Sequence, residues 1–257
     1  MSREPVNVAE DVIAPSRSGA PVFVGREREL DALTEGLEAA RAGVGRVFLL
    51  AGEPGIGKSR LADELGAQAR ERRVRVLWGR CWEAGGAPAY WPWVQSIRAL
   101  LRSGDPERLR RGLGPGAGDV AQIVPEVRDL VPDVEEPPPL DPESSRFRLF
   151  DAVTRFLMAA AEPEGLVLVV DDLHAADAPS LLLLRFLAGE IAESHVMVVG
   201  CYRRAGTPPT AGPGRAMGGR GTDPRRPPRG HRRNAWTCPG SRWWRSRRCT
   251  TTSPRSA

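Results

Sequence analysis

Lysine is almost missing from this chain. Of 37 basic residues, Lys58 is the single lysine and the other 36 are arginine. Such a bias marks GC-rich codons, and it poses the question of why one position keeps an ammonium. Long hydrophobic runs are missing as well. No stretch approaches the roughly 18 apolar residues of a membrane-spanning helix, and Met1–Gly19 has no apolar centre of signal-peptide type. The four cysteines, Cys81, Cys201, Cys238 and Cys249, lack the spacing of a metal site and suggest no disulfide framework. These absences argue against membrane contact and against a disulfide-stapled secreted domain, so a cytoplasmic location is expected.

A second absence is local. Residues 204–257 contain no Leu, Val, Ile, Phe, Tyr, Glu or Lys. Their 13 arginines face Asp223 alone, so the first 203 residues are net acidic although the whole chain carries +5. A segment of this composition cannot bury enough apolar surface to offset its ordering entropy and is expected to be disordered. Two origins remain open. An arginine-rich arm would bind nucleic acid through phosphate contacts. Alternatively, GC-rich codons read in a shifted frame yield mostly Arg, Pro, Gly, Ala, Ser, Thr, Trp and Cys. The change is abrupt after Arg203, which favours the shifted frame.

What is present begins with "AGEPGIGKSR", which fits G-x-x-x-x-G-K-[ST]. Gly52, Gly55 and Gly57 let backbone N–H groups turn inward around phosphate oxygens, with Glu53, Pro54 and Ile56 completing the loop. Lys58 places a compact ammonium on the outer phosphates, where a planar guanidinium is too wide. That explains the one lysine. Ser59 offers a hydroxyl to Mg²⁺, and the helix that opens at Ser59 and Arg60 directs its positive end at the same phosphates. The flanks suit the motif: Val47–Ala51 reads as a buried strand, and Arg60–Glu71 as a helix with Leu61 and Leu65 on one face.

Further along, residues 21–30 lead into a helix with Leu30, Leu33, Leu37 and Ala40 inward, and Arg73–Cys81 alternates like a strand. Residues 86–140 read as irregular, with one helix starting near Trp93. Asp141 and Pro142 open a helix to about Ala161, with Phe147, Phe150, Val153 and Leu157 inward. A helix is expected over about 179–192 and a last buried strand over 195–200. Tyr90, Trp91 and Trp93 read as core or interface anchors, and His174 as packing or capping. Apolar strands alternating with helices imply an α/β fold, a parallel sheet covered on both faces.

Leu166–Val170 is the strand that carries Asp171 and Asp172 out at its C-terminal end. With a phosphate loop upstream, Asp171 is the expected Mg²⁺ ligand. Asp172 is then the group that orients or deprotonates the attacking water.

Six segments, "FVGRERELDAL", "AGEPGIGKSRL", "GRCWEAGGAPAYWPWVQ", "RFRLFDAV", "VVDDLHAADAPSLLLLR" and "VVGCYR", occur in an order that resembles the origin-recognition-complex-like AAA ATPase module. In particular the chain resembles the copy at the N-terminus of large ATP-binding LuxR-type regulators, which belong to the signal-transduction ATPases with numerous domains. The resemblance covers about residues 21–203, leaving 1–20 as a flexible lead and 204–257 as the tail.

It implies a P-loop NTPase three-layer αβα sandwich, binding of ATP or ADP with Mg²⁺, slow hydrolysis, and a switch role within a transcriptional regulator. It further implies that Val24, Gly25 and Arg26 lie near adenine and ribose, and that Arg203 senses the γ-phosphate. Implied partners are other domains of the same regulator and further copies of itself, with no sequence-specific DNA contact from this chain. Position 175 is Ala where relatives usually carry Trp. The family's sheet order is 5-1-4-3-2, and with no apolar run after Gly200 the sheet is expected to be incomplete, leaving Val47–Ala51 as an open edge prone to aggregation. A small-molecule kinase using the same loop is the alternative enzyme class.

Overall fold

In the computed structural model, which describes residues 26–84, 86–203 and the backbone of 235–238, the apolar runs of the sequence form one sheet. Helix α1 (Glu27–Arg41) leads into β1 (Arg46–Gly52), which passes through the glycine-rich loop into α2 (Lys58–Glu71). Strand β2 (Arg75–Arg80) follows, then α3 (Trp91–Ser103), α4 (Pro106–Leu113) and two short helices, α5 (Ala117–Ala121) and α6 (Val127–Leu130). The long helix α7 (Pro142–Ala161), β3 (Leu166–Asp171), α8 (Ala178–Glu190) and β4 (Val196–Arg203) complete the alternation, and β5 (Ala235–Cys238) is a short strand from the basic tail.

The sheet order is β2-β3-β4-β1-β5. Pairs β2–β3, β3–β4 and β1–β4 are parallel, in the order expected for strands one to four. The fifth place corrects the expectation of an open edge. Ala235–Cys238 pairs antiparallel with β1, from Val47 opposite Cys238 to Leu50 opposite Ala235. Residues 1–25, and the tail apart from this stretch, lie outside the described residues.

All six residues of β3 are buried, as are the first six of β4, because helices cover both faces. Side chains alternate between two cores. Leu166, Leu168, Val170, Val196 and Val198 join α3, α4, α5, α7 and α8 on one side, and Val167, Val169, Met197 and Val199 join α1 and α2 on the other. Leu33, Leu37 and Ala40 of α1, with Leu61 and Leu65 of α2, are buried in that second core as their helical spacing predicts, and Leu30 packs at its margin.

Two further expectations need correction. Residues 86–140 are less irregular than expected: α3 begins at Trp91, beside the expected start near Trp93, and α4 to α6 follow it, while Trp93 is 1% exposed with its indole N–H donating to Ser180 O at 3.2 Å. Tyr90 meets Phe150 edge-on, and Trp91 lies beneath the Arg98 guanidinium. Phe147 does not point inward; it is 61% exposed and stacks edge-on against Phe186 at 5.4 Å. Phe150, Val153 and Leu157 do face the core. Asp141 caps α7 as its place before Pro142 predicts, accepting from the N–H groups of Glu143 and Ser144.

Candidate functional site

The parallel topology brings the C-terminal ends of β1, β3 and β4 together, where ligands bind in open α/β sheets. Gly52, Asp171 and Arg203 end these three strands, and Arg203 stands in register beside Gly52. The chain then turns through Glu53, Pro54, Gly55 and Ile56 to Gly57. Gly55 and Gly57 have φ of 75° and 90°, the left-handed region that a Cβ disfavours.

Helix α2 begins directly after Gly57 with no side chain capping it, whereas α4, α7 and α8 are capped by Asp105, Asp141 and Asp177. Its first N–H groups thus stay open toward the loop, the arrangement that binds an anion. Lys58 folds back over the loop and donates from Nζ to Gly52 O at 3.1 Å and Glu53 O at 3.0 Å. Arg60 lies in the first turn of α2.

Arg26 donates from its guanidinium to Ile56 O at 2.6 Å, so it braces the loop from outside. Val24 and Gly25 lie outside the described residues.

Ser59 Oγ donates to Asp171 Oδ2 at 3.0 Å, which joins the two motifs. The Asp171 side chain is 4% exposed. Its other oxygen accepts from the N–H of Asp172 at 3.0 Å. Asp172 itself has φ 56° and ψ 40°, a left-handed conformation that short polar side chains tolerate and that concentrates at functional turns. Burial pushes the Cys201 thiol up to about 12, with Asp171 adding to the rise. Burial also raises the Asp63 carboxyl, against the pull of Arg60 and Arg70.

Two charged residues were missed at the sequence level. Arg80, at the end of β2, approaches Asp171 Oδ2 at 3.4 Å. Glu83 Oε1 lies 2.7 Å from Arg203 and 2.8 Å from His174 Nε2. Glu83, Asp172 and His174 each offer a ligand atom within 4.8 Å of the others. Because β2 runs parallel beside β3, charges placed just after β2 had to fall next to Asp171. That was the available signal.

The chemistry of this donor set fits a metal-bound nucleotide. A buried carboxylate and a hydroxyl offer hard oxygens to Mg²⁺, while the Lys58 ammonium and the uncapped start of α2 lie along the glycine-rich loop, an arrangement that suits phosphate.

The family model described as AAA ATPase domain matches residues 22–199. An uncharacterized protein of Rhizobium meliloti (strain 1021) is 30% identical over 196 residues, 71% of this chain, and the chain spans 18% of that relative's length. Among solved structures, Drosophila ORC bound to DNA is 14% identical over 70% of this chain and 79% of its own, with a TM-score of 0.38. Drosophila ORC bound to AT-rich DNA and Cdc6 is 12% identical over 71% of this chain and 51% of its own, with a TM-score of 0.36.

Proposed function

This chain belongs to the AAA ATPase domain family, a nucleotide-binding family, and on that premise we propose that it is a Mg-ATP-dependent switch module of a larger LuxR-type regulator. The observation that carries the reading is the Ser59–Asp171 hydrogen bond, which ties the phosphate loop to the acidic strand end at one point. In this reading Lys58 exchanges the Gly52 and Glu53 carbonyls for the outer phosphates, and the N–H groups of the loop and of α2 hold the remaining phosphate oxygens. Ser59 and Asp171 would hold Mg²⁺, which offsets the phosphate charge and polarises the γ-phosphoryl group.

Asp172 positions a water for attack on the γ-phosphorus and accepts its proton as ADP leaves. Arg203 faces the γ-phosphate from β4, and Arg26 braces the loop beside the base. Hydrolysis is slow, so the bound nucleotide acts as a timer rather than as fuel. The length of the curated relative supports a module within a longer protein. The acidic character of the first 203 residues and the absence of a long apolar helix among the described residues are consistent with a cytoplasmic module.

The test is ligand-linked stability. ATP with Mg²⁺ at about 100 times its dissociation constant stabilises the folded chain by roughly 2.7 kcal/mol. Lys58→Ala removes the ammonium and should abolish that thermal shift. Equal shifts in the two proteins would sink the assignment.

A further inference from the structure

We infer that the segment after β2 carries an internal counterpart of the charges of a metal-bound nucleoside triphosphate, and that Glu83 thereby tunes the site between triphosphate and diphosphate. The inference rests on the Mg-ATP reading above and concerns how that same site is regulated.

Two ion pairs from one short stretch carry it. Arg80 puts a cation 3.4 Å from Asp171 Oδ2, the oxygen that also accepts from Ser59. A buried carboxylate needs a compensating positive charge, and Arg80 supplies one from a side chain that is itself 65% exposed and free to swing out. Three residues on, Glu83 puts an anion 2.7 Å from Arg203, the arginine beside Gly52. A cation thus faces the metal-ligand carboxylate and an anion faces the phosphate-facing arginine.

The stretch is anchored where it begins. The N–H of Arg80 donates to Gln95 Oε1 at 3.1 Å, Gln95 Nε2 donates to Arg80 O at 3.0 Å, and the N–H of Cys81 donates to Asp171 O at 3.0 Å. Gly79 is held close against α3, where an added Cβ would lie 2.2 Å from Pro92 O. The backbone of the strand end is fixed, and the exchangeable parts are the two side chains.

Glu83 also sits among mixed charges, within 4.8 Å of the carboxylate of Asp172 and the ring of His174. The like charge of Asp172 favours its departure, while Arg203 and His174 hold it. Glu83 holds Nη2 of Arg203, so turning that nitrogen to a γ-phosphate breaks the pair. A diphosphate offers no such group and leaves the pair intact. Glu83 therefore opposes ATP and is indifferent to ADP. Arg80 opposes the divalent cation in the same way with either nucleotide.

The experiment uses the full chain and measures Mg-ATP and Mg-ADP affinity by calorimetry in wild type, Glu83→Gln, Arg80→Gln and Lys58→Ala. Glu83→Gln should tighten ATP by about one and a half- to fivefold, the range of an exposed ion pair, and leave ADP unchanged. Arg80→Gln should lower the Mg²⁺ concentration needed for half-saturation with both nucleotides. In wild type, amide exchange over residues 82–84, beyond the anchored strand end, should speed up with a non-hydrolysable ATP analogue and not with ADP.

Weaker ATP binding by Glu83→Gln, or an unchanged ATP-to-ADP ratio, overturns the inference, as does slower exchange over 82–84 with the analogue. Those results would make Glu83 a support for Arg203 rather than its competitor. They leave the nucleotide reading intact provided that binding still depends on Lys58. Wild-type binding that ignores Lys58 overturns the nucleotide reading and this inference together.

Discussion

At the scale of single residues, neighbouring acids have different surroundings, and the proposed function gives them separate duties. Asp171 is buried and bonded to Ser59, while Asp172 turns away in a left-handed conformation toward Glu83 and His174. Asp172→Asn should therefore keep nucleotide affinity and slow phosphate release by about 10²-fold or more, measured under single-turnover conditions. Wild-type turnover in this variant would assign water positioning elsewhere. The two described cysteines make a different prediction. Burial pushes the Cys81 thiol, like that of Cys201, up to about 12. Both should resist alkylation at pH 8 in the folded chain and react on unfolding, as mass spectrometry of their peptides will report. The glycine-rich loop and the acid-ended strand were legible in the sequence because each is a local pattern of residue type and spacing, and the Ser59–Asp171 hydrogen bond joins them in space. Arg80 and Glu83 were not legible, since a lone charge after a strand gains its meaning only from the neighbouring strand.

At the scale of elements, helix caps were the clearest local signals and give the clearest tests. Asp177 accepts from the Ser180 N–H at 2.8 Å and from its hydroxyl at 2.6 Å, and also receives the N–H of Tyr90 at 3.4 Å. Asp177→Ala should cost about 1–2 kcal/mol in chemical denaturation, because the start of α8 and the approach to α3 lose one acceptor together.

The cap of α7 predicts a pH effect. The Ser144 hydroxyl and the N–H groups of Ser144 and Glu143 hold the Asp141 carboxyl below its usual 3.8. A carboxyl with a depressed folded-state value binds fewer protons folded than unfolded, so its stabilisation is complete above its unfolded value and is lost as the pH falls through the folded one. Asp141→Asn caps equally well without titrating. Its acid-unfolding curve should be shallower than that of wild type below about pH 4. The strands were readable because burial on both faces writes them as unbroken apolar runs. The helices of residues 106–130 were obscured by their shortness and by the Pro and Gly that punctuate them. Phe147 was misplaced because the helical repeat alone cannot tell a core side chain from one that leans on a neighbouring aromatic.

For the whole molecule, the order of the four parallel strands followed from the family resemblance, and the position of the fifth did not. Ala235–Cys238 has no apolar run to announce it; it joins through main-chain hydrogen bonds, which composition does not encode. Its pairing occupies the backbone groups of β1 that an open edge would present to other chains. Ending the chain at Arg203 should therefore raise the tendency to self-associate, read as light scattering and earlier elution in size-exclusion chromatography. A truncated chain that stays monomeric would assign no protective role to the added strand.

The solitary lysine has one more consequence, in the language of covalent labelling. Apart from the α-amino group, Lys58 is the only amine in the molecule, and it is folded over the loop at the foot of α2. Acylating reagents, reductive methylation and enzymatic acetylation thus share a single side-chain address. Any such modification that removes the charge or blocks its hydrogen bonds acts, among side chains, on the glycine-rich loop alone, so one mass increment on one internal peptide would read its occupancy directly.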